Sequence, residues 1–245
     1  MHYIKFYIRI NFPKLFFFIK KLKYILSSNF NNSYSYLDNI KSNIAANKEI
    51  KIIFDVGANI GNEAILLHNY FPRSKIYCFE PNRKIFSQLK QRLEKFNNIY
   101  FENLFLSSSK QKNYMYLSLN SHLIGSGYKE TDVTLNEPMI KTKISSNRID
   151  EFCKKKKINT IDILRVDVNG FEKEVLKGAN ELLTKKKIRI IHFSFFNIIS
   201  KINEAGSLFE VTKYLNKKNY RLFALYNNFC HSERWGGYYF ATFIT

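Results

Sequence analysis

The sequence is poor in cysteine, proline and glycine. Its 245 residues include three cysteines, four prolines and nine glycines. The cysteines, Cys78, Cys153 and Cys230, are odd in number and widely spaced, so they predict neither a disulfide framework nor a metal site. They indicate a reducing, cytoplasmic compartment. Scarce glycine and proline beside abundant lysine, asparagine and isoleucine are typical of an AT-rich genome.

Acidic residues and long apolar runs are also few. The chain has 20 acidic residues against 39 basic ones, a formal net charge of +19. Such a charge suggests nucleic acid, anionic lipid or a phosphorylated substrate, but the lysines are spread along the chain rather than gathered into one stripe. Charge alone therefore identifies no partner.

The N-terminal segment, residues 1–26, mixes aromatic residues with lysines. Its uninterrupted apolar stretch, residues 15–19, is far shorter than the ~20 residues of a spanning helix, and no small-residue cleavage site follows. Two interpretations remain: a basic, aromatic-faced helix at a membrane surface, or a helix packed on the flank of the domain. We treat residues 1–48 as a helical extension of a domain that covers residues 49–245.

From residue 50 onward, short apolar strands alternate with amphipathic helices. One of the strands is predicted over NIYFENLFLS, and a single helix is predicted over residues 171–184. Continuous apolar strands such as KIIFDVG, KIYCFEP and IDILRVDV predict an α/β fold whose parallel sheet is covered on both faces. Residues 108–149 have no long apolar period and predict an inserted hairpin or flap. The segments YRLFALY and GGYYFATFIT predict a closing antiparallel pair. The sequence shows no internal repeat, so we expect one domain.

Polar residues end the predicted strands, at Asp55, Glu80, Asn103 and Asp167. Because ligands bind at the carboxyl ends of parallel strands, near the point where strand order reverses, these residues are the candidate site.

The segment DVGANIG contains a GxxxG spacing between Gly57 and Gly61 rather than the GxGxxG that holds a pyrophosphate. This spacing favours a cofactor without a diphosphate, with Asp55 beside a positive group such as the α-ammonium of methionine. Glu80 follows Gly61 at about the ~20-residue distance from which an acid reaches a ribose. The alternatives are strand-to-helix packing for the glycines and a helix N-terminal acid for Glu80.

DVGANIGN, CFEP and IDILRVDVNGFEKEVLKGA, in this order, resemble the FkbM-type family of S-adenosyl-L-methionine (SAM)-dependent methyltransferases, and the WGGYYFATF tail is similar to its closing strands. The similarity covers most of residues 50–200. It implies a Rossmann-like fold with a mostly parallel seven-stranded sheet, an antiparallel closing strand, and SAM as cofactor. It also implies methyl transfer to a hydroxyl of a sugar or other small molecule, in polysaccharide, glycolipid or natural-product biosynthesis.

The resemblance implies roles for single residues. It assigns the methionine end of the cofactor to Asp55, Gly57, Asn59 and Gly61, the ribose to Glu80, the adenine to Asn103 or Glu102, and the methyl group to Asp167.

The chain departs from the family pattern at two acids, because Asn169 and Ser194 stand where family members usually carry Glu. Deprotonating a hydroxyl calls for a carboxylate or an imidazole. The candidates are Asp167, Glu172, His192 and His122, and we select Asp167 and His192.

The absence of these two acids has three interpretations. The enzyme uses another base, it methylates another kind of acceptor, or the protein binds the cofactor without turnover. RNA methylation is less favoured, because the chain lacks an NPPY-like signature and an aromatic-basic recognition module. A nicotinamide dehydrogenase lacks support for want of GxGxxG. No cluster with metal-ligand spacing is present in the sequence, and oligomeric state is not predictable.

Overall fold

A computed structural model describes residues 35–44, 48–109, 112–118, 139–168, 170–196, 208–228 and 238–245. Residues 1–26, for which a helix at a membrane surface or on the flank of the domain is predicted, lie outside these ranges, as do His122, Asn169 and Cys230. Within the described residues, no helix is long and apolar enough to cross a membrane.

The main sheet has seven strands in the order β3-β2-β1-β7-β8-β10-β9. Strands β3, β2, β1, β7 and β8 are parallel, and β10 runs antiparallel to both β8 and β9. This confirms the predicted mostly parallel α/β sheet with a closing antiparallel pair. The strands are β1 Ile52–Val56, β2 Lys75–Phe79, β3 Ile99–Glu102, β7 Ile161–Val166, β8 Ile188–Phe196, β9 Arg221–Asn228 and β10 Tyr238–Ile244.

The helices largely follow the apolar periodicity. They are α1 Ser35–Asn39, which continues into a π-helical turn Ile40–Ile44, then α2 Asn62–Tyr70, α3 Arg83–Leu93, α4 Ile149–Lys156, α5 Glu172–Lys177, α6 Asn180–Thr184 and α7 Leu208–Asn216. The single helix predicted over residues 171–184 is wrong, because it divides at Gly178. A Cβ atom there would lie 2.3 Å from the carbonyl oxygen of Ser107, so the close backbone approach requires glycine.

A second, three-stranded sheet has the order β4-β6-β5. Its strands are β4 Phe105–Leu106, β5 Lys112–Ser118 and β6 Met139–Asn147. Strands β5 and β6 pair antiparallel, and both lie within residues 108–149, where an inserted hairpin or flap is predicted. The segment NIYFENLFLS, predicted as one strand, divides between β3 of the main sheet and β4 of the small one.

The core has two principal clusters of buried apolar residues, to which alternate residues of the central strands contribute. Helix α1 belongs to one of them: Tyr36, Leu37 and Ile40 are buried there with Ile53 and Ile163. The described part of the N-terminal extension therefore packs on the domain.

Candidate active site

The candidate site lies at the carboxyl edge of the main sheet, where strand order reverses. Strand β1 is paired with β2 on one side and with β7 on the other. Asp55 is the last residue but one of β1, whereas Glu80 and Asp167 directly follow β2 and β7. Asn103 follows β3, the next strand outward. The topology thus brings the polar strand ends predicted from the sequence to one edge, as in other open α/β sheets.

The loop after β1, residues 57–61, has no backbone amide left for a ligand. All five N–H groups donate within the protein: Gly57 and Ala58 to Phe79 O at 3.0 Å, Asn59 to Glu80 Oε2 at 3.0 Å, Ile60 to Asn59 Oδ1 at 2.7 Å and Gly61 to Ala58 O at 2.9 Å. A phosphate is normally bound by such donors. The loop is therefore unsuited to a diphosphate, in agreement with its GxxxG spacing.

The two glycines of this loop are required by packing. Both have positive φ, +82° at Gly57 and +84° at Gly61. A Cβ atom at Gly57 would lie 2.0 Å from the carbonyl oxygen of Asp167, so this glycine allows the ends of β1 and β7 to meet. At Gly61 a Cβ atom would contact the flexible ends of Leu89 and Leu93 on α3.

Asp55 is fully buried, and one of its oxygens lacks a partner. Arg165 Nη1 donates to Oδ1 at 2.9 Å, whereas Oδ2 has no hydrogen bond. Burial raises the pKa of Asp55 to about 6, against the opposing attraction of Arg165. Since unsatisfied buried polar atoms are costly, Oδ2 is suited to accept from a cationic ligand group.

Arg165 connects Asp55 to Asp167 and was missed in the sequence analysis. Its Nη2 donates to Asp167 Oδ2 at 2.6 Å, and the Asp167 amide donates to Val56 O at 2.9 Å. The Asp167 side chain is 19% exposed, whereas that of Arg165 is 7% exposed. A charged residue in the otherwise apolar run ILRV, residues 163–166, was the available signal, because such a residue needs a buried partner.

Glu80 braces the loop against the start of α3. Its Oε2 accepts from Asn59 N at 3.0 Å and its Oε1 from Asn82 N at 2.9 Å. Burial raises the pKa of Glu80 to about 7, although these two N–H groups oppose the shift. Asn103 Nδ2 donates to Glu80 O at 2.8 Å, so the structure brings the predicted ribose and adenine residues together. Glu102 instead forms an ion pair with Lys156 at 2.8 Å.

His192 is enclosed on both ring faces. Tyr36 stacks on it at 3.7 Å between centroids and Phe240 at 4.9 Å, and Nδ1 lies 2.8 Å from Thr242 Oγ1. Burial, with a smaller contribution from Arg165, holds the pKa of His192 well below its usual value. With 1% of its surface exposed, this neutral ring has no face open to a substrate.

Glu172 lies against Ser194, one of the two positions that depart from the family pattern. It accepts from the amides of Val168 at 3.1 Å and Gly170 at 2.9 Å, and from Ser194 Oγ at 3.1 Å. Burial raises its pKa to about 7. Through its hydrogen bonds with Val168 and Gly170, Glu172 therefore stabilises the backbone that follows Asp167. Across the described ranges, no group of three His, Cys, Asp or Glu side chains could hold a metal ion.

Comparison with known proteins assigns the family. The model of the FkbM methyltransferase domain matches residues 55–222, which run from the first candidate residue into β9. The chain belongs to the FkbM methyltransferase family. A curated relative, 2-O-methyltransferase NoeI of Sinorhizobium fredii (strain NBRC 101917 / NGR234), is 23% identical over 157 residues. The match covers 58% of this chain and 63% of NoeI, so the chain spans less than two thirds of that relative.

Solved structures with a similar chain path include two fibrillarins. The Methanococcus jannaschii fibrillarin pre-rRNA processing protein has a TM-score of 0.49 at 12% identity, covering 87% of this chain and 75% of its own. Aeropyrum pernix fibrillarin, solved with natively bound S-adenosyl-L-methionine, has a TM-score of 0.47 at 13% identity. That match covers 79% of this chain and 67% of the fibrillarin chain. Neither likeness bears on the acceptor of this FkbM methyltransferase.

Proposed function

We propose that this chain is a SAM-dependent O-methyltransferase that methylates a hydroxyl of a sugar or another small molecule. Family membership makes it a methyltransferase, and the fold implies SAM as the cofactor. The observation that carries the site assignment is the acceptor-rich edge of the sheet. The amides of residues 57–61 are all used, while the buried Asp55 Oδ2 has no partner.

The charges at this edge suit a cationic cofactor. Several carboxylates lie at or near this edge although the chain as a whole is strongly basic; they are Asp55, Glu63, Glu80, Asp167 and Glu172. Asp55 Oδ2 would accept from the α-ammonium of the methionine part, since a charged donor and a carboxylate make a strong hydrogen bond. Each Glu80 oxygen already accepts one N–H and retains capacity for a ribose hydroxyl. Asn103 lies beside Glu80 and would approach the adenine.

The acceptor side is assigned to Asp167. SAM, when bound, would supply the methyl group from its sulfonium. As the acceptor oxygen bonds to the methyl carbon, the bond from that carbon to sulfur would break, with its electron pair left on the sulfur of S-adenosylhomocysteine. The hydroxyl proton would pass to Asp167, a general base just beyond β7. Holding both reactants at this edge would supply much of the acceleration. His192, our other choice from the sequence, is placed inside the core and is better explained as a packing residue.

A hydroxyl acceptor is supported by the 2-O-methyltransferase NoeI, whose name states that chemistry. The test uses SAM labelled in the methyl group, with oligosaccharides and total RNA as separate acceptors. We expect label in the saccharide fraction. Label in RNA would contradict the acceptor class, and cofactor binding without transfer to any acceptor would favour the alternative of a binding protein without turnover.

Two matched variants test the role of Asp167. Asp167→Asn should retain cofactor binding and lose about 10²–10⁴-fold in transfer rate, as for removal of a general base. Asp162→Asn is the control, because Asp162 lies at the opposite end of β7, where it pairs with Arg189 at 2.7 Å. The control should keep both binding and transfer. Equal rates for the two variants would refute the assignment.

A further inference from the structure

A row of polar side chains crosses the middle of the main sheet at a single register. Neighbouring strands pair Cys78 with Asp55, Asp55 with Arg165, Arg165 with His192, and His192 with Thr242. Residues paired in this way point to the same face of a sheet. Each is at most 6% exposed. The guanidinium group of Arg165 is therefore buried in the core, at the middle of this row.

The two terminal nitrogens of Arg165 donate to two carboxylates that lie at or just beyond the ends of different strands of the sheet. Nη1 donates to Asp55 at the end of β1, and Nη2 donates to Asp167 just beyond β7. A buried charge is costly unless paired, and removal of one partner leaves the other uncompensated. Because the guanidinium is planar and rigid, the two contacts also fix the separation and direction of the carboxylates.

We propose that Arg165 is a positioning residue of the active site, holding Asp55 ionised toward the cofactor and Asp167 directed toward the acceptor. This inference rests on the proposed function, in which these carboxylates face the two reactants. Neither family membership nor the sequence motifs assign a role to Arg165.

The groups around Asp55 explain why its charge depends on Arg165. Glu63 of α2 and Asp167 add negative charge, and both raise the pKa of Asp55. Tyr36 of α1 directs its hydroxyl to Glu63 at 2.6 Å, and Cys78 of β2 is neutral and buried. Arg165 is the group that lowers this pKa. Without it, the pKa of Asp55 would rise further, so the carboxyl would be protonated over more of the pH range and would attract an ammonium less strongly.

The test compares two ligands that differ at the methionine end. S-adenosylhomocysteine carries the α-ammonium, whereas 5′-methylthioadenosine has the same nucleoside thioether without the amino acid. Titration of Glu80 affects both, so the ratio of their affinities reports on the methionine end. Isothermal titration is run from about pH 5.5 to 8 on wild type, Arg165→Met and Arg165→Lys.

For Arg165→Met we expect S-adenosylhomocysteine affinity at pH 7 to fall about tenfold or more, as for loss of one charge-assisted hydrogen bond. Affinity for 5′-methylthioadenosine should change by less than about threefold, within the range of an indirect effect. The ratio of the affinity for S-adenosylhomocysteine to that for 5′-methylthioadenosine falls when Asp55 is protonated, and in Arg165→Met this fall should occur at a higher pH than in wild type. Arg165→Lys should recover part of both effects, because an ammonium keeps the charge but lacks the planar fork.

Arg189→Met is the matched control. Like Arg165, Arg189 links two neighbouring strands through an ion pair: it lies on β8 and contacts Asp162 of β7 at 2.7 Å. This ion pair lies at the opposite edge of the sheet. This variant should lose stability and keep the wild-type ratio and pH midpoint. The inference is overturned if Arg165→Met also keeps the wild-type affinity ratio and its pH midpoint. Should Arg165→Met not fold, the same result for Arg165→Lys overturns it. If wild type binds neither ligand, the proposed function fails first.

Discussion

Replacing Gly57 by alanine tests whether the close contact between the ends of β1 and β7 builds the site. The new Cβ atom would lie 2.0 Å from the carbonyl oxygen of Asp167 and 2.9 Å from its carbonyl carbon. These are backbone atoms, so relief requires the β7 end to move away. That movement would break the 2.9 Å hydrogen bond from Asp167 N to Val56 O.

Gly61→Ala is the matched control, because its φ of +84° imposes nearly the same strain as the +82° of Gly57. Left-handed backbone costs alanine about 1–2 kcal/mol at either position. At Gly61 the obstructing atoms are the ends of Leu89 and Leu93, which can rotate. We expect a free energy of unfolding lower by about 2 kcal/mol for Gly61→Ala and about 4 kcal/mol for Gly57→Ala, from strain, overpacking and the lost hydrogen bond.

Denaturant unfolding and thermal melting measure this difference. For a chain of this size, about 2 kcal/mol corresponds to roughly 4–8 °C in melting temperature. Gly57→Ala should also weaken SAM binding more than Gly61→Ala, since movement of the β7 end would disturb the contact of Arg165 with Asp55. If the two variants are equally stable and bind equally well, the close contact does not build the site.

Three further predictions concern the same site. Asp55→Asn and Glu80→Gln should each weaken SAM binding by about 1–3 kcal/mol in calorimetry, as for loss of a charge-assisted hydrogen bond, with the chain still folded; wild-type affinity in both would refute the assignment. Burial raises the pKa values of Glu80 and Glu172 from 4.5 to about 7, so between these values the folded state binds more protons than the unfolded state. Stability should therefore fall as pH rises from about 4.5 to 7, and Glu172→Gln should make the melting temperature depend less steeply on pH across that window; an unchanged slope would contradict the assigned shift. Tyr36→Phe should lower the free energy of unfolding by about 1 kcal/mol through loss of the hydroxyl contact with Glu63, and unchanged unfolding would show that this contact adds nothing.

The sheet and the strand ends of the site were predictable because they depend on local patterns. Continuous apolar runs predicted the central strands, and the polar residues that end them predicted Asp55, Glu80 and Asp167. The strand-end rule then brings these residues to one edge, as observed. The helix boundary at Gly178 was not predictable, because it depends on the backbone of Ser107, a residue distant in sequence.

The partners of the site residues could not be predicted, because they depend on strand register. Arg165 meets Asp55 only because β1 and β7 pair with these two residues opposite each other. The two-residue spacing of His192 and Ser194 places them on the same face of a strand, but it does not indicate that Tyr36 of α1 covers the imidazole. The sequence therefore predicted which edge of the sheet carries the candidate site, but it did not predict the contacts within that site.

A crystal structure with S-adenosylhomocysteine tests the central claim most directly. The account predicts the α-ammonium within hydrogen-bond distance of Asp55 Oδ2, the ribose hydroxyls at Glu80 and the adenine beside Asn103. The sulfur should lie on the side of Asp167. A nucleoside bound away from the carboxyl edge of β1, β2 and β7, or an ammonium far from Asp55, would contradict it.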